Sequence, residues 1–373
     1  MTAQRAIALM LAAAAVICIG AGAHAENAPD IAAGGAVLME RDTGTVICAK
    51  DAHKKLPMAS TTKIMTALIV IENCPLADTV KVSPKAYGIE GSSMYLNAGE
   101  ELSVEDMLYG LMLLSGNDAA VALAIHTAGS VEAFAALMNR RAEELGAHNT
   151  HFVTPNGLHD DGHYTTAYDL TLIAAEAMRN PDFRKIAGST YHRTSTGGVI
   201  RCMKNKNKML WQYDGGCGVK TGYTKAAGRC LVFAAERDGM MLIGTVLNCP
   251  DMFNAAKAML DYGFAGFGME KIVSAGQSIA RIRVSGGVKT ALAAEAKNDI
   301  IIPVRIGESA DIRTEVETLS GITAPVEKGE KVGVLRVIAD GRVVGMTELA
   351  AAEDCLSLQF GQYLRKLLSG WAA

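Results

Sequence analysis

The chain has almost no surplus of charge: 36 Lys and Arg stand against 39 Asp and Glu, a formal net charge of −3 over 373 residues. Phosphate-binding surfaces are usually clearly basic, so this balance makes no electrostatic case for a nucleic-acid partner. Gly (38) and Pro (9) sit at ordinary levels and 20% of residues are charged, which excludes a collagen and a disordered chain. The eight cysteines show no tight regular spacing, so neither a disulfide framework nor a zinc knuckle is marked. The apolar run from Ala6 to Ile19 is shorter than the roughly 20 residues that a membrane span needs. What is present is length for more than one domain, 50% hydrophobic residues and a mean hydropathy of +0.18.

Much of that hydropathy has a local source. Residues 1–25 carry one charge (Arg5), then the apolar run, then Ala23-His24-Ala25, the three regions of a secretory signal peptide. The expectation is export with cleavage after Ala25, and bulky Ile17 before Cys18 argues against a lipoprotein signal. Cleavage removes one cysteine and leaves an odd number, so they cannot all pair. Most read as small buried hydrophobes.

Residues 31–49 alternate apolar and polar positions around Asp42-Thr43-Gly44, as a β-hairpin does. Thr61–Ile71 is apolar almost all round, the pattern of a helix buried within a domain. Helical patterns cover 104–127 and 130–145, turn signals fill 150–169, and strand-type runs follow at 218–235 and 239–248 around Arg237-Asp238-Gly239. A further helical pattern spans 251–263. From Lys271 to about Leu349 short Ile/Val/Gly-rich runs predict a small all-β domain. In 355–373, Leu356, Phe360, Tyr363, Leu364, Leu367 and Trp371 share one side of a helical wheel, so the end reads as an amphipathic helix lying on a bilayer or docking on its own domain.

Three short motifs carry chemistry. Ser60-Thr61-Thr62-Lys63 puts a hydroxyl and an amine on one face at the start of the buried helix, where a partly dehydrated lysine can serve as base for the serine. Alone it is weak, because S-x-x-K arises by chance about once in a chain of this length. Ser115-Gly116-Asn117 follows an apolar helix; it reads either as an ordinary cap or as a hydroxyl and amide aimed into a cleft. Lys220-Thr221-Gly222 lies on or beside a strand, where Lys and Thr can hold a carboxylate and Gly lets substrate approach the backbone.

In this order the three resemble the S-x-x-K, S-D-N and K-T-G signature of penicillin-binding proteins and class A β-lactamases, with Gly116 in the middle of the second. Around them PMASTTKIMTAL (57–68), GSSMYL (91–96), LLSGNDAAVALA (113–124), PNGLHDDGHYTTAYDL (155–170) and GVKTGYTKAAGRC (218–230) make residues 31–264 resemble the low-molecular-weight penicillin-binding proteins, the serine D-alanyl-D-alanine carboxypeptidases, and most closely Gram-positive, sporulation-type members. The resemblance implies an α/β (α+β) fold: a β-lactamase-like transpeptidase domain with an antiparallel sheet flanked by helices, plus a small all-β C-terminal domain. The expected division is a signal peptide 1–25, a catalytic domain 26–267, a β-rich domain 268–352 and an amphipathic membrane-anchor helix 353–373.

It further implies Ser60 as acylated nucleophile, Lys63 as its general base and Ser115 as proton relay to the departing D-alanine. Asn117 would bind the peptide stem, Lys220 and Thr221 the terminal carboxylate beside Gly222, and the backbone N–H groups of Ser60 and Tyr223 would form the oxyanion hole. The implied partners are stem peptides ending in D-Ala-D-Ala, β-lactams as inhibitors and a membrane surface, with no metal or other cofactor and no nucleic acid. The implied location is the outer face of the cytoplasmic membrane or the cell wall.

The sequence departs from the family pattern twice. Cys217 stands where many relatives have Asp, and Met252 where they often have Arg. Cys217 is also a candidate for pairing with Cys230. Three other readings compete: a β-lactamase with Glu143 or Glu144 as second base, a metallopeptidase using His151, His159 and His163, and a degenerate, non-catalytic wall-binding module.

Overall fold

The strands alternate as period-two elements should, yet both of their faces are buried, because the sheet is the middle layer of three. In the first strand, β1 (Gly35–Glu40), Val37 and Met39 point into one apolar cluster while Ala36 and Leu38 point into another. A computed structural model describes residues 28–308, 311–339 and 341–361; the expected export signal and most of the expected terminal helix lie outside them. The sheet is completed by β2 (Val46–Lys50), β3 (Gly216–Thr224), β4 (Gly228–Arg237) and β5 (Met240–Leu247), all antiparallel, in the order β2-β1-β5-β4-β3. The hairpin expected at 31–49 is β1–β2. The single run expected at 218–235 is two strands, because residues between Thr224 and Gly228 turn the chain back on itself.

One face of the sheet is covered by α1 (Lys63–Asn73), α2 (Val104–Tyr109), α3 (Asn117–Ala128), α4 (Val131–Glu144), α5 (Ala167–Arg179) and α6 (Pro181–Gly188). α1 lies within this layer, and Lys63 through Val70 are all buried, which is why its sequence shows no polar stripe. The other face is covered by α7 (Met252–Gly266), through Ala256, Met259 and Leu260. Among the described residues no single helix is long and apolar enough to cross a membrane.

The helix expected over 104–127 is broken. A wide π turn at Gly110–Leu114 ends in Ser115, whose φ of 66° is left-handed, and α3 restarts after Gly116. The tip of this break is one wall of the cleft described below.

From α7 the chain passes into β6 (Phe267–Val273), then β7 (Ser278–Arg283), β8 (Ala291–Ala296), β9 (Ile300–Arg305), β10 (Ile312–Thr318), β11 (Lys331–Ala339) and β12 (Arg342–Ala351). β6 pairs with β9, and the rest form a sheet in the order β7-β8-β12-β11-β10 around Leu292, Ile302, Leu335, Val337 and Leu349. Arg305 ties this unit to α7, its guanidinium lying 5.6 Å from the Tyr262 ring centre and 5.4 Å from that of Phe267. Cys355–Leu358 does not begin the terminal helix as the wheel suggests. Cys355 is buried and bridges Val326, Ser357 bridges Gly287, and helix opens only at Phe360.

Among the described residues every cysteine is unpaired. Cys230 lies opposite Gly222 in the β3–β4 register, five positions along β3 from Cys217. At about 3.3 Å per residue that is roughly 16 Å, far beyond disulfide reach, so the suggested pairing is geometrically closed.

Phe233 on β4 is fully buried and faces Gly244 on β5, where a Cβ would come within 2.5 Å of the ring. Phe233→Ala is expected to destabilise the catalytic unit by about 3–5 kcal/mol, lowering its thermal midpoint by roughly 6–20 °C in a denaturation scan.

Candidate active site

Three segments meet at one edge of the sheet: the turn before α1, the tip between the π turn and α3, and β3. Ser60 lies in a 3₁₀ turn, Ala59–Thr62, that leads straight into α1. The turn is unusual at Ala59, whose φ is 50°. It is held by a relay that no spacing along the chain marks. His163 Nδ1 accepts from the Val153 N–H at 3.0 Å, so the ring hydrogen is on Nε2, which donates to Thr62 Oγ1 at 2.8 Å; that hydroxyl donates to the Ala59 carbonyl at 2.8 Å. Burial pushes His163 down to about 4, so the ring stays neutral at physiological pH.

Lys63 is fully buried beneath Ser60. Its Nζ lies 3.1 Å from Ser60 Oγ, 2.7 Å from Asn117 Oδ1 and 2.6 Å from the Asn156 carbonyl. Burial first, then the charges of Lys220 and Lys206, push its pKa well below the ordinary lysine range, while Asp118 pulls weakly the other way. A neutral amine has two hydrogens and one lone pair. The two oxygens that can only accept take the hydrogens, and the lone pair is left for the Ser60 hydroxyl.

Asn117 is therefore spoken for: Oδ1 accepts from Lys63, and Nδ2 donates to the Glu90 carbonyl at 2.6 Å. Its second N–H is what remains for a ligand. Neighbouring Asp118 fixes the same loop by accepting from the backbone N–H groups of Met94 and Leu96 and from the Ser93 hydroxyl.

β3 closes the site. A Cβ on Gly222 would stand 3.1 Å from the backbone nitrogens of both Ser60 and Thr61, so only glycine lets the strand approach the nucleophile's amide this closely. Lys220 is buried and hydrogen-bonded to the Thr221 carbonyl at 3.1 Å, and burial with the nearby Lys206 charge brings it down to about 7. The cleft above encloses about 330 Å³. Of the expected residues, Ser60, Ser115, Thr221, Gly222 and Tyr223 line it, while Lys63, Asn117 and Lys220 lie buried below.

The comparisons with known proteins agree with this geometry. Residues 22–251 match the family model described as D-alanyl-D-alanine carboxypeptidase, and residues 267–356 match the penicillin-binding protein 5 C-terminal domain. This chain belongs to the D-alanyl-D-alanine carboxypeptidase family of low-molecular-weight penicillin-binding proteins. It is 35% identical to the D-alanyl-D-alanine carboxypeptidase DacF of Bacillus subtilis over 90% of this chain and 89% of that one. It is 39% identical to the D-alanyl-D-alanine carboxypeptidase of Streptomyces sp. strain K15 over 70% and 99% respectively. Among solved structures, penicillin-binding protein 5 from Haemophilus influenzae superposes with a TM-score of 0.74 at 31% identity, covering 88% of this chain and 99% of that one.

Within this family member, motif reading missed Lys206, Ser92, Arg229 and Phe253, which also line the cleft. Lys206 arrives on the hairpin Tyr191–Arg193/Cys202–Lys204, which Asp106 pins through His192 Nε2 at 2.6 Å and the Ser195 and Thr196 N–H groups. It then donates to the Leu114 carbonyl at 2.9 Å. No spacing in the sequence links residue 206 to residue 114.

The rival constellations come apart. Glu143 pairs with His148, and Glu144 pairs with Arg140 and Arg141 at the end of α4; neither lines the cleft. His151 bonds the Gly162 carbonyl, His159 faces Asp161, and His163 is bound into the Ala59 relay. Among the described residues no three His, Cys, Asp or Glu side chains converge as a metal site would require.

The lowered Lys63 pKa sets a pH dependence. The reactive form is the neutral amine, so acylation of Ser60 by penicillin should rise with pH through an acid limb lying below the ordinary lysine range. Lys63→Arg, which stays charged, should cut the acylation rate about 10²–10⁴-fold across that range, as followed with a fluorescent penicillin.

Proposed function

We propose that this protein is an exported serine D-Ala-D-Ala carboxypeptidase that trims the terminal D-alanine from peptidoglycan stem pentapeptides through a Ser60 acyl-enzyme. The observation that carries the reading is the Lys63 amine: it is buried, its pKa is pushed well below the ordinary lysine range by that burial, and two carbonyl acceptors hold it 3.1 Å from Ser60 Oγ.

Ser60 Oγ attacks the carbonyl carbon of the penultimate D-alanine while Lys63 Nζ takes the hydroxyl proton. The developing oxyanion lies between the backbone N–H groups of Ser60 and Tyr223, a pairing supported by the close approach of Gly222 to the Ser60 nitrogen. Collapse breaks the C–N bond, and the proton travels from Lys63 by way of Ser115 to the D-alanine amine as it leaves. A water then gives a proton to Lys63, neutral again, and attacks the ester carbonyl; the ester C–O bond breaks and Lys63 returns that proton to Ser60 Oγ. Lys220 and Thr221 attract the terminal carboxylate, and Asn117 chiefly orients Lys63. β-Lactams acylate Ser60 in the same way.

We assign 26–267 to catalysis, 268–352 to a β-rich pedestal and the end of 353–373 to attachment on a membrane surface, with residues 1–25 directing export.

Wild-type protein should release D-alanine from diacetyl-Lys-D-Ala-D-Ala and take up fluorescent penicillin in a lasting adduct. Ser60→Ala should lose both, and rapid steady hydrolysis of penicillin by the wild type would make it a β-lactamase instead. A chain ended after Gln359 keeps the docked Cys355–Leu358 segment. It should leave membranes in a sedimentation assay with unchanged D-alanine release, whereas undiminished sedimentation would put the attachment elsewhere.

A further inference from the structure

The cleft is rich in cations and poor in acids. Lys63 and Lys220 are buried with depressed pKa values, and the exposed Lys206 is also lowered by partial desolvation. Dehydration therefore works against the charge of all three ammonium groups. Arg229 is different, since a guanidinium stays charged.

Arg229, the second residue of β4, lies directly opposite Tyr223 on β3, so the two Cβ atoms are about 4.5–5.5 Å apart. It lines the same cleft as Ser60 and Thr221, against a wall made apolar by Met252 and Phe253. Its side chain has one weak hydrogen bond, Nη1 to the Pro250 carbonyl at 3.5 Å, and no carboxylate partner among the described residues. A forked, permanently charged donor with nothing to pair with, beside an apolar wall that thins the surrounding water, is suited to a carboxylate held in bidentate fashion.

Resting on the carboxypeptidase reading above, we propose that Arg229 is a specificity-determining residue whose guanidinium binds the C-terminal carboxylate of the substrate and selects free acids over blocked termini. Thr221 and Lys220 approach that carboxylate from β3, and Arg229 reaches it from the neighbouring strand. The weak bond to Pro250 is readily given up for a charged acceptor.

The test compares diacetyl-Lys-D-Ala-D-Ala with its C-terminal amide on wild type, Arg229→Met and Arg229→Lys. Arg229→Met should lower kcat/KM for the acid about 10–100-fold, mainly through KM, and narrow the acid-to-amide ratio by the same factor. Arg229→Lys, which keeps the charge and loses the fork, should fall in between. An unchanged ratio in Arg229→Met, or equal losses on both peptides, would overturn the proposal. If the wild type releases no D-alanine, the carboxypeptidase reading fails by itself. Arg229 is then judged by Ser60 acylation with benzylpenicillin against its methyl ester: a narrowed acid preference in Arg229→Met upholds the carboxylate role, and an unchanged one removes it.

Discussion

A lysine amine taken wholly out of water is the constraint on which the rest of this molecule depends. Left charged, Lys63 would cost several kcal/mol in so dry a place; left neutral, it needs two acceptors for its hydrogens. The fold supplies them from distant parts of the chain, the side chain of Asn117 at the start of α3 and the backbone of Asn156 in a loop ninety-three positions downstream. Each acceptor is itself held: Asn117 through Glu90, and the 155–156 turn through the Thr66 hydroxyl on the Pro155 carbonyl. The reactivity of Ser60 is thus a property of these four tertiary contacts more than of its own local sequence.

The same need explains the irregular backbone around the cleft. Ala59 and Ser115 both adopt left-handed φ values that residues with a Cβ normally avoid. The first is held by the His163–Thr62 relay and the second follows a π turn that shifts the helix register, so that a hydroxyl lines the cleft. Strain of this kind persists only where the surroundings over-determine it, and here a rigid sheet on one side and a buried helix on the other provide that. The cation excess works similarly. Each ammonium depresses its neighbours, which helps keep Lys63 a base, and leaves the permanent charge needed for an anionic substrate to be found elsewhere on the wall.

Much of this was legible in the residues. The hairpin at 31–49, the all-apolar helix after Ser60 and the Ile/Val-rich C-terminal strands stand out because burial leaves a periodic trace. The three motifs were legible because their chemistry is local: S-x-x-K sets its own geometry on one helical turn. What was not legible is instructive. The break at Ser115 hides inside a continuous apolar pattern, since a π turn buries the same residue types as an α turn. The strand pair at 216–237 reads as one run because both strands are buried on two faces. The extended course of Cys355–Leu358 is masked because backbone bonds to Val326 and Gly286 override a helical pattern of side chains.

By itself, then, the sequence determined the elements, the order of the motifs and the family, because these follow from local periodicity and from residue types close together in the chain. Only the tertiary structure decided which acceptors neutralise Lys63, that His163 braces the nucleophile's turn, that Cys217 and Cys230 lie far apart along neighbouring strands, and that Lys206 and Arg229 face the cleft. Those are relations between segments up to a hundred residues or more apart. They exist because dehydration and hydrogen-bond satisfaction are settled in space, where sequence spacing carries no information.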